Sequence, residues 1–320
     1  DGIVSHVMFD GQPLQLAIDT GLSGTYVVYK DWYERTYGKD ACKQFQMGCY
    51  SCPSGCDPYA KEKHVTRFDD GSAVTSVLHE GTLSPAGKNL DMQFRLIIGF
   101  SPGSEVKALK RYCSKQLYLK KMIKKYAVSI CSPSDVESFT GTLIFGDWNG
   151  LCAIKAGVTV IPMTQPHKAI SLDSDLRSYG LVSPTGRRFN PEAGKRSVMY
   201  DTGSGSIFAP KSISESLLNK ISYFAGPGVH VEAYNHGWNI TDKGYSNFPA
   251  LTFTVGSKQH FIVRIPPNKY ALFCDGQWCK LAFREYGGSA VILGRPFFTT
   301  YFSSFDLELE TVSIAEYKSR

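Results

Sequence analysis

The chain predicts a mainly β fold built as two pseudo-symmetric lobes, and three observations carry that expectation. A short acidic motif, Asp19-Thr20-Gly21, returns as Asp201-Thr202-Gly203, each time directly behind apolar residues (Ala17-Ile18 and Met199-Tyr200). Each copy has a later companion of two apolar residues and a glycine, Ile97-Ile98-Gly99 and Ile292-Leu293-Gly294. Around these landmarks the chain reads as short β-rich segments separated by Gly, Pro and Asp. A pattern written twice in 320 residues implies two equivalent halves.

Composition sets the outer limits. With 42% apolar and 20% charged residues, the chain is an ordinary globular one with enough length for a large core. Its longest apolar runs, residues 96–100 and 290–293, fall far short of the ~20 residues a membrane helix needs. The net charge of +6 permits acidic partners without specifying one. Nine cysteines, with one glycosylation sequon at Asn239-Ile240-Thr241, favour an oxidising secretory route and a disulfide-bonded glycoprotein.

Taken in order, residues 3–9 and 14–18 flank an Asp10-Gly11 turn, giving a hairpin whose second strand delivers Asp19 into a tight turn. Residues 24–29 read as the next strand. Cys42, Cys49, Cys52 and Cys56 then stand at a spacing that suits either a four-thiolate zinc site or two local disulfides. The oxidising compartment favours disulfides, with the pairing open. Phe68-Asp69-Asp70-Gly71-Ser72, between Val65 and Val74, predicts a second hairpin, and residues 94–99 a strand.

Residues 107–126 are the most basic stretch. Leu119, Met122, Ile123 and Tyr126 follow a helical spacing, so an amphipathic helix is expected with its lysines on the far face. A solvated face is the ordinary outcome; contact between Lys107–Lys125 and an acidic membrane surface or an anionic partner is the sharper one. No interleaved aromatics point to nucleic acid. Cys113 and Cys131 flank this helix and are expected to pair, leaving Cys152 as the odd thiol. Strands follow at 141–147 and 158–163, and Pro162 and Pro166 mark a lobe boundary, giving lobes 1–164 and 165–320. In the second half, Arg187-Arg188 and Lys195-Arg196 sit in an exposed loop. Residues 197–200 lead into Asp201, residues 213–221 form a helix, and strands at 251–255 and 260–265 turn at Gly256. Cys274 and Cys279 close a hairpin, and residues 301–309 and 311–317 form a β-rich tail.

Two Asp-Thr-Gly triplets, their two apolar-apolar-Gly companions and the segment Ile292-Leu293-Gly294-Arg295-Pro296-Phe297-Phe298 together resemble the pepsin-like aspartic endopeptidases, over nearly the whole chain. The resemblance implies a bilobal fold with a cleft between the lobes, protein or peptide substrates, a monomer, and neither cofactor nor metal. It makes Asp19 and Asp201 the catalytic pair, supported by Thr20, Gly21, Thr202, Gly203 and Ser204. By the same resemblance a flap hairpin carries Phe68, Asp69 and Asp70 to the substrate. Phe94 and Ile97, with Phe68, line a pocket for an apolar residue before the scissile bond. A secretory signal and an inhibitory prosegment would precede Asp1, making the protein a zymogen; no signal pattern is legible at Asp1. Some branches of the family carry a cysteine-rich insertion near Cys42–Cys56.

The departures are specific. Leu22 stands where the family has a serine that donates to the carboxylate, Phe68 where it has tyrosine, and Tyr26 where it has tryptophan. That tyrosine and tryptophan share a hydrogen bond in the family, and exchanging both is expected to remove it. Because the same fold also serves inhibitors and receptors, a peptide- or protein-binding module is the alternative reading.

Overall fold

The computed structural model describes residues 4–21, 24–53, 56–67, 72–84, 89–100, 117–164, 172–234, 237–241 and 243–318. The chain divides into two compact units, residues 2–124 and 125–320. No helix among the described residues is long and apolar enough to cross a membrane.

The described strands of the first unit form one sheet. Its strands are β1 (Val4–Phe9), β2 (Gln12–Ala17), β3 (Tyr26–Val28), β4 (Lys63–Arg67), β5 (Ala73–Ser84) and β6 (Leu90–Phe100). They lie in the order β2-β1-β5-β6-β3, with β4 on the free side of β5. At the expected β1–β2 hairpin, Asp10 (φ 47°) and Gly11 (φ 76°) are both left-handed, the conformation whose twist suits a two-residue connection. Alternation along β6 buries Leu90, Met92 and Phe94, and Phe94 meets Phe9 at 4.7 Å between ring centres. Helices α1 (Lys30–Tyr37) and α2 (Ala41–Gln44) were not legible in the sequence. Neither buries a residue completely, so neither carries the apolar stripe that announces a helix; Trp32 and Tyr33 only lean on the core.

The second unit holds the remaining strands. They run β7 (Ala127–Cys131), β8 (Thr142–Phe145), β9 (Thr159–Pro162), β10 (Asp173–Val182), β11 (Arg188–Phe189), β12 (Glu192–Tyr200) and β13 (Ile207–Pro210). After helix α3 (Lys211–Ala225) come β14 (Val231–Tyr234), β15 (Gly237–Thr241), β16 (Ala250–Val255) and β17 (Phe261–Ile265). Beyond the one-turn helix α4 (Pro267–Tyr270) lie β18 (Ala271–Leu272), β19 (Trp278–Leu281), β20 (Phe283–Tyr286) and β21 (Val291–Leu293). The short α5 (Arg295–Phe298) leads to β22 (Tyr301–Asp306) and β23 (Thr311–Glu316). An eight-stranded sheet, β17-β16-β10-β12-β21-β13-β20 with β11 on β10, carries α3. Ile213, Leu217, Leu218 and Ile221 of α3 are buried along one stripe, as their spacing requires. A smaller sheet runs β14-β15-β19-β18, and the C-terminal hairpin sits inside a third, β8-β7-β22-β23-β9. That third sheet joins 127–162 to the chain's end, and the compact units divide at Lys124.

Two expectations need correction. Cys131 bonds Cys152, not Cys113, so Cys152 is no free thiol; Cys113 lies outside the described residues. The helix expected through Tyr126 ends at Leu119, after which residues 120–126 form turns and bends before β7. Lys120, Lys121, Lys124 and Lys125 are exposed, and residues 101–116 lie outside the described residues. The open pairing of the first cysteine group resolves as Cys42–Cys49 and Cys52–Cys56, and Cys274–Cys279 closes its hairpin as expected. Sulfurs joined in this way are not zinc ligands.

Candidate active site

The second Asp-Thr-Gly is built by three strands. β12 ends at Tyr200, the loop 201–206 follows, and β13 leaves it. β21 lies between them, parallel to β12 (Tyr200↔Leu293) and antiparallel to β13 (Phe208↔Ile292). The Asp201 amide donates to the Leu293 carbonyl at 3.0 Å, and the Arg295 amide to the Ser204 carbonyl at 2.9 Å. Gly294 explains the companion motif physically. A side chain there would strike the carbonyl oxygens of Ser204 and Ser206, so only glycine lets β21 end under the acidic loop. Tyr200, fully buried, stacks its ring 5.3 Å from Phe297 and 5.5 Å from Phe305, fixing the strand that presents Asp201.

The carboxylate of Asp201 is held at both oxygens. Oδ1 accepts from the Gly203 amide at 2.9 Å and Oδ2 from the Ser204 hydroxyl at 2.5 Å. Thr202 is buried beside it at 1% exposure.

Asp19 shows the same local contact: its Oδ1 accepts from the Gly21 amide, again at 2.9 Å. Asp19 and Thr20 are both buried. Leu22 lies outside the described residues. Here the parallel neighbour of the apolar-apolar-Gly strand is β3, with Tyr26↔Arg95 and Val28↔Ile97, and the Tyr29 amide donates to the Ile97 carbonyl at 3.1 Å.

β4 and β5 pair antiparallel from Lys63↔Val77 to Arg67↔Ala73, the two arms of the expected hairpin. Its tip, with Phe68, Asp69 and Asp70, lies outside the described residues. Phe94 and Ile97 are both core residues, at 1% and 0% exposure. Phe94 packs against Phe9, Tyr50 and His79, whereas Ile97 belongs to a separate cluster with Tyr26, Val28 and Val74. Their surroundings are those of packing residues.

One contact was missed. The Tyr26 hydroxyl lies 3.1 Å from Thr66 Oγ1 on β4, so the tyrosine that replaces tryptophan does find a partner on the hairpin. Alternation groups His64 with Thr66 on one face of β4, but which face turns inward is seen only in the structure, where those two are half-buried and Val65 is exposed.

Comparison with curated proteins finds no match. The description of the family Eukaryotic aspartyl protease matches residues 72–317. That span begins after the first Asp-Thr-Gly and takes in the Asp201 loop, the Gly294 seat beneath it and the C-terminal hairpin. With well over half of the chain matched and its sheets folded as the mainly β, pepsin-like architecture requires, the chain belongs to the eukaryotic aspartyl protease family.

Proposed function

We propose that the protein is an aspartic endopeptidase in which Asp19 and Asp201 together activate water for peptide-bond hydrolysis. The observation that carries this reading is the identical anchoring of the two carboxylates, each Oδ1 held 2.9 Å from the amide of the glycine two residues on. Asp57 and Asp275 make the same turn contact at exposed positions; what sets Asp19 and Asp201 apart is that theirs falls within the repeated Asp-Thr-Gly, each with a buried threonine beside it.

The chemistry follows from the groups. Two carboxylates sharing a site cannot both ionise easily, the established behaviour of aspartic proteases, so the pair holds one proton between them. One member takes a proton from water while the other donates to the amide carbonyl, and the roles reverse as the amine leaves. Backbone amides on Oδ1 cost no reorganisation during the step and fix each carboxylate's plane. In this reading the lobes are residues 1–164 and 165–320, Thr20 and Thr202 steady the two loops, and the hairpin tip at Phe68, Asp69 and Asp70 meets the substrate. Apolar residues are preferred at the scissile bond. The four disulfides support a secretory route.

The test is digestion of a diverse peptide mixture between pH 3 and pH 7 (a range set on the order of the pKa values of paired carboxylates and histidine), with Asp19→Asn and Asp201→Asn beside the wild type. Internal cleavage is expected from the wild type alone, with both variants folded. A wild type that cleaves nothing, yet binds a statine-type transition-state mimic, would move the assignment to a peptide-binding module.

A further inference from the structure

We infer that Tyr26 is a positioning residue that clamps both arms of the β4–β5 hairpin at one rung and ties that rung to the loop of Asp19. This rests on the endopeptidase reading for its kinetic consequence, though not for its geometry.

Thr66 and Val74 are cross-strand partners, close to the hairpin's tip at 68–71. The Tyr26 hydroxyl bonds Thr66 on the outer arm, and the Tyr26 ring shares a buried cluster with Val74 on the inner arm. One side chain is therefore bonded to one member of this rung and lies in the same buried cluster as the other. Its own root is rigid: Tyr26 is 3% exposed, and the cluster continues through Val28 and Ile97 with Trp32 and Tyr33 against it. The loop of Asp19 ends at Gly24, two residues before Tyr26, and a β-carbon there would come within 3.4 Å of the tyrosine ring, so the ring lies close beside the end of that loop. β4 needs such a clamp. Lys63, Val65 and Arg67 face solvent and no residue of the strand is fully buried, so packing alone holds it weakly.

The tyrosine hydroxyl and Thr66 form a half-buried pair, worth about a fivefold factor in an equilibrium when one partner is removed. Losing it lets the outer arm open, which weakens capture of peptide without touching the carboxylates.

The experiment compares Tyr26→Phe, Thr66→Val, the double variant and Thr66→Ser. Two readouts are taken: amide exchange across residues 63–67, and the separate KM and kcat for an apolar peptide. Tyr26→Phe and Thr66→Val should each speed β4 exchange by about fivefold and raise KM by a similar factor, with kcat within about twofold. The double variant should be no worse than either single, and Thr66→Ser should restore both readouts. Singles with wild-type exchange, or effects that add in the double variant, overturn the clamp. If the wild type cleaves no peptide, the endopeptidase assignment fails while the exchange measurement still decides the clamp.

Discussion

Ser204 and Leu22 occupy the same step after their Asp-Thr-Gly triplets, and that one exchange makes the two acidic loops chemically unequal. Ser204 donates to Asp201 Oδ2 at 2.5 Å. A leucine side chain has no proton to give, so residue 22 cannot supply the hydroxyl donor that residue 204 supplies. Donors to a carboxylate favour its charged form. Ser204→Ala should therefore move the acidic limb of the pH–activity profile upward, and Leu22→Ser should move it downward. A pH–rate series on the two variants checks both signs, and limbs that coincide with wild type would sink the argument. This asymmetry was legible in the sequence, because it follows from residue type alone. The Tyr26–Thr66 bond was not, because it depends on which residue of an edge strand turns inward.

Among the elements, the repeated apolar-apolar-Gly companion gains a reason. In the second half it is the seat of the Asp201 loop: β21 slots between β12 and β13, and its glycine lies against two loop carbonyls. Gly294→Ala should cost about 3 kcal/mol, since backbone carbonyls cannot swing aside as a side-chain end would. Chemical denaturation should show that loss together with loss of cleavage; a variant of wild-type stability would mean the loop has another support. The first-half companion is less strict, because a β-carbon at Gly99 would meet only the Thr75 side chain, at 3.2 Å. Motif equivalence in sequence thus overstates equivalence in packing.

A second junction joins the cysteine-rich loop to the hairpin. Tyr50, fully buried, donates to Asp10 Oδ2 at 2.5 Å, so its oxygen must accept from His79 Nε2, 3.1 Å away. Nδ1 then points its lone pair at Lys61 Nζ (3.5 Å), beside the Cys56 sulfur. Burial first, and the Lys61 charge second, hold His79 below the ordinary histidine range, against a weaker opposite pull from Asp10 and Glu80. A lowered folded value means the unfolded chain binds the proton more readily. Stability is then complete above about pH 6.5 and drains away as pH falls through the folded value. His79→Gln keeps a donor for Tyr50 and cannot titrate. Urea midpoints followed from pH 7.5 to 4.5 (about one to two units either side of the ordinary histidine value) should flatten in that variant, and parallel curves would refute the assignment.

At the scale of the whole molecule, the strands that could be named in advance are those with alternation and a marked turn: the first hairpin, the β16–β17 pair and the C-terminal hairpin. What sequence order could not supply is long-range partnership. Cys113 and Cys131 looked paired because a helix was expected to bring its own flanks together, yet the helix ends at Leu119 and the partner of Cys131 is set by the sheet. β7 lies between β8 and β22, and Cys131 and Cys152 both pack with Phe302 and Ala315 of the C-terminal hairpin. The bridge closes a sequence separation of 21, inside a unit whose edge strands β8 and β9 have little burial of their own. Constraining a loop of that size in the unfolded chain is worth about 3 kcal/mol. Replacing Cys131 and Cys152 together by alanine should lower the stability of the 125–320 unit by about that much, read as an earlier urea transition of that unit. Mapping the unreduced protein by mass spectrometry provides the independent check, expecting the peptides of Cys131 and Cys152 joined. A Cys113–Cys131 link in that map would restore the helix-flanking pair, and would require β7 to meet the C-terminal hairpin without the bridge that now fastens it.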